Sequence, residues 1–129
     1  MNRKEHIGEI MELTFYDRNG KPVAYTTENI DIYAFNGTIL AYIEGDSVYS
    51  FSGKHLGWYI DYSIIDHNGY YFLFTEKSMG GPFKPFKQLK PIKGFKQFKP
   101  FKGFKQYKPY KPYLKITWSN LTFEQFFEL

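Results

Sequence analysis

The stretch "IYAFNGTILAYI", residues 32–43, decides the fold. Two short runs of β-branched and aromatic residues flank Asn36-Gly37, and such runs suit a pleated surface. Asn-Gly is the strongest short hairpin signal, because a type I′ turn needs positive φ at both central residues. A two-residue turn pairs Tyr33 with Leu40 and Ile32 with Ala41. One face then carries Tyr33, Phe35, Leu40 and Tyr42, the other Ile32, Ile39, Ala41 and Ile43. Both faces are apolar, so the sheet is expected to be covered on both sides.

The pattern recurs along the chain. Glycines 20, 37, 53 and 69 are 17, 16 and 16 residues apart, in "FYDRNGKPVAYT", "IYAFNGTILAYI", "VYSFSGKHLGWY" and "IIDHNGYYFLFT". Five residues before each glycine stands Phe15, Ile32, Val48 or Ile64, followed by Tyr16, Tyr33, Tyr49 or Ile65. After the glycine, the third position is Val23, Leu40, Leu56 or Phe72. The fourth is Ala24, Ala41, Gly57 or Leu73, and the fifth is always aromatic (Tyr25, Tyr42, Trp58, Phe74). Internal periodicity of this kind outranks any single-residue cue. Four equal hairpins give eight short strands, and closure removes the two edges that an open sheet would expose. The expected fold is all-β: a shallow closed or nearly closed barrel of four hairpins with pseudo-fourfold symmetry. An open meander is the competing arrangement.

The pattern "IYxFxGxxLAYI" followed by "VYxFxGxHLGWYxD" resembles the four-fold β-flower domain proteins, with Ser52–Asp61 its most specific piece. The Lys/Pro/aromatic triplets and the ending "TWSNLTFEQFF" resemble the C-terminal part of some bacterial members. The resemblance implies hairpin petals around an apolar central channel. It also implies an architecture similar to tubby C-terminal-like domains, hence a role at lipid or membrane surfaces, and no established activity. Ile65 and Leu73 depart from the repeat, so the fourth petal is expected to contribute differently.

Charge divides the chain. Residues 1–81 carry six Lys/Arg against eleven Asp/Glu, and residues 82–129 carry eleven Lys against two Glu. The first part is therefore acidic and the second basic, which suggests a polyanionic partner or docking of one part on the other. The break falls at Gly80-Gly81-Pro82. This divides the chain into an N-terminal segment (1–13), the hairpin domain (14–79), a triplet repeat (80–115) and a terminal docking segment (116–129). There is no cysteine, so disulfides and thiolate metal sites are excluded. No stretch has the apolar length of a membrane span or an export signal. A cytoplasmic, at most peripherally membrane-bound protein is expected.

From Pro82 to Lys111 the chain is ten triplets: Pro, Gln or Gly, then an apolar residue, then Lys. Period three fits neither an α-helix nor a strand, whereas polyproline II has three residues per turn. Lys84, Lys87, Lys90, Lys93, Lys96, Lys99, Lys102, Lys105, Lys108 and Lys111 then form one edge and the apolar residues another. Gln88, Gln97 and Gln106, nine apart, align on the third. Such a rod can wrap the acidic barrel, burying its aromatic edge and leaving its cations outward. It can also lie on an anionic membrane, where each Lys near the surface contributes about 1 kcal/mol. Nucleic acid, through phosphate contacts and stacking, ranks below both. Pro82-x-x-Pro85 and Pro109-x-x-Pro112 are weak signals for a proline-reading domain.

The remaining candidates are a short list. Tyr16, Tyr33, Tyr49, Tyr25, Tyr42 and Trp58 either pack the barrel or line a channel for a hydrophobic small molecule or acyl chain. Thr122 and Gln125 resemble a capping box opening a short helix with Phe123, Phe126 and Phe127 on one face, docked on the barrel or offered to a protein partner. A metal would have to join His55, His67, Asp61 and Asp66, which have no ligand-motif spacing. A nucleophile would have to pair Ser50 or Ser52 with His55, without an elbow or oxyanion loop. The carboxylates Asp17, Glu28, Asp31, Glu44, Asp46, Asp61 and Asp66 read as a solvated rim. No catalytic residue, metal or cofactor is assigned. The expected function is a non-enzymatic binding module for a lipid surface or hydrophobic ligand; the alternative is a structural or protein-interaction protein whose tail wraps its own barrel.

Overall fold

The computed structural model describes residues 11–129; residues 1–10, most of the N-terminal segment, lie outside it. Eight antiparallel strands follow one another in sequence order. They are β1 (Glu12–Tyr16), β2 (Pro22–Thr27), β3 (Asp31–Ala34), β4 (Ile39–Glu44), β5 (Ser47–Tyr49), β6 (His55–Ile60), β7 (Ser63–Ile65) and β8 (Tyr71–Leu73). The sheet curls into a nearly closed barrel with one seam, between β8 and β1. Among the described residues one backbone pair crosses it: Tyr16 N–H donates to the Phe74 carbonyl at 2.8 Å and Phe74 N–H returns a bond at 2.9 Å.

The turns correct the sequence reading. At each petal tip only the glycine has positive φ, +80°, +97°, +100° and +91° at Gly20, Gly37, Gly53 and Gly69. In petal 2, Gly37 N–H donates to Ala34 O at 2.9 Å and Ala34 N–H to Thr38 O at 2.8 Å. This is a three-residue loop with glycine alone in the left-handed region, rather than a type I′ turn. Paired positive φ values occur at the opposite end instead, at Glu28-Asn29 and Asp61-Tyr62 between petals. Side chains stabilise the tips: Asp17 Oδ1 accepts from Asn19 and Lys21 N–H, and Asp66 Oδ1 from Asn68 and Tyr70 N–H.

The register shifts as well. Ile32 pairs with Ala41 as expected, but Tyr33 pairs with Ile39, because Leu40 bulges out of the ladder. The same bulge expels Val23, Leu56 and Phe72 in the other petals. A one-residue slip turns side chains to the other face. Ile39 therefore joins Tyr33 and Tyr42, while Leu40 joins the barrel core. Along the axis, Phe15, Ile32, Val48 and Ile64 pack with Ala24, Ala41 and Leu73, all fully buried.

The terminal helix α1 (Phe123–Phe127) plugs the tip end. Thr122 Oγ1 accepts from Gln125 N–H at 3.1 Å, and Gln125 Oε1 accepts from Thr122 N–H at 2.9 Å, the anticipated capping box. Phe126 stacks on Phe72 with centroids 4.4 Å apart. It fills the space left at Gly57, where a Cβ would lie 2.9 Å from its ring. Phe126 and Phe127 are 3% exposed, so the proposed partner-docking face is turned into the chain's own barrel.

Candidate functional site

The outer face of the barrel is built from one packed pair per petal interface, aromatic at three of the four. Tyr25 stacks on Tyr33 and Tyr42 on Tyr49, each with centroids 5.7 Å apart. Across the seam Phe74 stacks on Tyr16 at 5.5 Å. At the third interface Trp58 packs with Ile65, so the departure at residue 65 matches the larger ring opposite it. The structure thus places Tyr16, Tyr25, Tyr33, Tyr42, Tyr49 and Trp58 on the outer face. They do not line the axis, which the core side chains and α1 fill. Burial holds the Tyr25 and Tyr42 hydroxyls above the usual tyrosine range.

The triplet segment crosses this outer face as a belt, an extended run without helix or strand. It meets the four tips in order, one every nine residues. Gln88, Gln97, Gln106 and Lys115 N–H donate to the carbonyls of Gly20, Gly37, Gly53 and Gly69 at 2.8–2.9 Å. A Cβ on any of these four glycines would overlap a belt carbonyl, that of Phe86, Phe95, Phe104 or Tyr113. The nine-residue period of the belt is thus matched to the petal repeat.

The third edge performs the reading. Gln97 Oε1 accepts from Ile39 N–H and Gln106 Oε1 from His55 N–H, both at 2.9 Å. In petal 1 the corresponding residue is Pro22, which has no N–H; there Gln88 Nε2 donates to Asn19 O at 3.2 Å. Gly94 and Gly103 N–H donate to Phe35 O and Phe51 O at 2.6 and 2.7 Å. A Cβ on Gly94 would come within 2.5 Å of the Asn36 carbonyl oxygen. Pro85 and Pro112 hold the matching places nine residues to either side, over petals 1 and 4.

The lysine edge faces inward, the reverse of the expected orientation. Lys102 Nζ lies 4.2 Å from the Tyr42 ring centre, Lys93 4.9 Å from Tyr25, Lys96 5.0 Å from Tyr33 and Lys111 5.7 Å from Trp58. Carboxylates at the far ends of the strands take the charges. Lys99 pairs with Asp31 at 2.8 Å, Lys105 with Glu44 at 2.5 Å and Lys108 with Asp46 at 3.3 Å. Lys93 pairs with Glu12, and Lys111 also with Asp46. The Lys105 bond holds the Glu44 carboxyl below the usual range, and the Lys111 bond does so for Asp46. Sequence reasoning read these acids as a solvated rim and missed their role; the signal was the charge balance of the two halves. Lys84 instead donates to the Gly80 and Pro82 carbonyls.

The apolar edge faces solvent. From Phe83 to Tyr113 every third residue is at least 93% exposed: Phe83, Phe86, Leu89, Ile92, Phe95, Phe98, Phe101, Phe104, Tyr107, Tyr110 and Tyr113.

His55 is buried, with Nδ1 2.9 Å from His67 Nε2 and Nε2 3.0 Å from Ser47 Oγ. Burial pushes its pKa down to about 4 and lowers that of His67. The serines weighed as nucleophiles bond to each other instead, Ser50 Oγ to Ser52 Oγ at 2.7 Å. Asp66, weighed as a ligand, supports its turn and accepts from Ser119 Oγ at 2.6 Å. Among the described residues no group of three or more His, Cys, Asp or Glu side chains is placed to hold a metal, and no helix is long and apolar enough to cross a membrane.

No curated protein and no solved structure matches the chain. Residues 13–127, nearly all of the described barrel, belt and plug, match the family described as "4-fold beta flower protein", and the chain belongs to that family.

Proposed function

We propose that the protein is a non-enzymatic, peripheral membrane-surface module whose contact element is the outward apolar edge of the belt, a polyproline II rod. The observation that carries this is the exposure of all eleven apolar side chains on a segment held to the barrel by its glutamine edge and, from Lys93 onward, by its lysine edge. Soluble proteins rarely display a contiguous apolar surface on this scale without a partner for it. At about 3.1 Å per residue, neighbours on one edge of such a rod stand roughly 9 Å apart. They are separate wedges, suited to the fluid interface of a bilayer rather than to one preformed groove. Burying a Phe or Leu side chain contributes about 1.5–3 kcal/mol, so three or four wedges suffice for micromolar binding. The apolar contact is thereby assigned to the belt and not to the barrel axis, which the chain's own side chains fill.

Wrapping of the barrel by its own tail also supports a purely structural role, and one experiment separates the two. Phospholipid vesicles are sedimented with the intact chain and with a Phe86→Ser, Phe95→Ser, Phe104→Ser, Tyr113→Ser variant, which removes one exposed wedge at each petal tip. Vesicle binding by the intact chain, weakened at least tenfold in the variant, supports the membrane reading. Absence of vesicle binding by the intact chain, or equal binding by both, leaves the structural role.

A further inference from the structure

Belt and barrel are not equivalent all the way round. Each belt lysine from Lys93 to Lys111 rests on a ring or a carboxylate of petals 1 to 3. The tip of petal 1 and the start of the belt differ. Arg18 and Lys21 flank the Asn19-Gly20 pair to which Gln88 bonds, and Lys87 and Lys90 flank Gln88 itself. All four are exposed. Among the described residues, the ion pairs and cation–π contacts engage other cations and none of these four. Two carboxylates stand beside them. Asp17 accepts from the N–H groups of its own turn, and Glu124, on α1, shares a shallow trench with Lys21. Among these described residues the balance is positive, four cations against two acids. The exposed apolar residues on this quarter of the belt are Phe83, Phe86, Leu89 and Ile92, whereas the petal 4 end carries Tyr107, Tyr110 and Tyr113.

We infer that the petal 1 quarter is the face that docks on the membrane, and that its occupant is an anionic phospholipid surface. This rests on the membrane reading above and adds an orientation and a lipid class. Exposed cations and hydrocarbon-only wedges coincide there, so headgroup phosphates meet Arg18, Lys21, Lys87 and Lys90 while Phe86, Leu89 and Ile92 enter the interface. Petals 2 and 3, whose belt cations are already matched, point away.

The test uses the full chain with vesicles of phosphatidylcholine alone and of phosphatidylcholine with phosphatidylglycerol. Arg18→Glu and Lys21→Glu are compared with Lys54→Glu, an equal charge change at the exposed tip of petal 3. Leu89→Ser is compared with Tyr110→Ser. Removing one cation near an anionic surface weakens partition by about fivefold, and reversal by more. The expected result is such a loss on anionic vesicles for Arg18→Glu and Lys21→Glu only, with binding to neutral vesicles unchanged. Leu89→Ser is expected to weaken binding more than Tyr110→Ser. Equal effects of the three charge reversals, or equal effects of the two serine variants, overturn the orientation while leaving the membrane reading standing. Failure of the intact chain to bind either vesicle overturns both.

Discussion

The side-chain carbonyl of Gln97 accepts from Ile39 N–H at 2.9 Å, while Gln97 N–H donates to Gly37 O, also at 2.9 Å. One belt residue thus closes a two-point clamp on a petal tip. Replacing it by alanine leaves the Ile39 donor without a partner under the belt, at a cost of about 1–2 kcal/mol. Gln88 serves as the internal control, because Pro22 offers no N–H and the only side-chain bond lost is to the exposed Asn19 carbonyl. Urea denaturation should show Gln97→Ala and Gln106→Ala destabilised by similar amounts and Gln88→Ala by less than half as much. Equal losses at all three positions would sink the clamp.

The tip glycines carry two constraints that a second glycine pair can separate. Gly45, between petals, has φ +63° with open space around its Cα, whereas Gly37 has φ +97° and sits under the Phe95 carbonyl. Gly45→Ala should therefore incur only the left-handed backbone penalty, about 1 kcal/mol. Gly37→Ala adds steric overlap that displaces the belt. Limited proteolysis after lysine should accelerate at Lys93 and Lys96 in Gly37→Ala and stay at the parental rate in Gly45→Ala.

Much of the architecture was legible because repetition fixes it: a sixteen-residue period of hairpins needs no long-range information to suggest a closed ring. The bulge was not legible. Leu40 and Ile39 are both apolar, so nothing in "TILAY" tells which one leaves the ladder; that choice is made by Phe126 and Phe127, which need Val23, Leu40, Leu56 and Phe72 turned toward them. The orientation of the belt failed for a related reason. Burying its phenylalanines looks favourable in isolation, but the barrel's outer face is already filled by paired rings. Those rings can accept lysine stems and charges above them, while the tips accept only backbone and glutamine. The glutamine alignment was visible; its partners, backbone groups of residues about sixty positions away, were not.

Acid sensitivity should begin well above the carboxylate range. His55 has an ordinary pKa of 6.5 when unfolded and about 4 when folded, because burial disfavours its charged form. Between those values the unfolded chain binds more protons, so stability rises with pH across the window. The contribution is complete above pH 6.5 and lost as pH falls toward 4, by about 3 kcal/mol at most. Below that, Glu44 and Asp46, whose folded values are depressed by Lys105 and Lys111, lose their belt contacts in turn. Thermal melts from pH 7.5 to 4 should decline first through the histidine window. A folded His55 imidazole titrating near 6.5 by NMR contradicts this account.

The plug can be tested through the residue that makes room for it. A Cβ on Gly57 would meet two neighbours, the Phe126 ring at 2.9 Å and the Ile65 carbonyl oxygen, which is closer still. Gly57→Ala alone should destabilise by about 1–3 kcal/mol, as overpacking does. Phe126→Leu alone should lose about 1–1.5 kcal/mol, from the missing ring atoms and the loss of stacking on Phe72. Were Phe126 the whole obstacle, the double variant would recover most of the Gly57→Ala penalty, since leucine withdraws the clashing atoms. Backbone cannot withdraw in the same way, so the Ile65 overlap persists. The double-mutant cycle should therefore show a favourable coupling of about 0.5–1 kcal/mol that leaves a residual penalty at residue 57. Strict additivity would mean that helix α1 does not enter the barrel mouth against Gly57. Full recovery would mean that the β6–β7 ladder yields at Ile65, and the barrel wall would then be softer than its complete register implies.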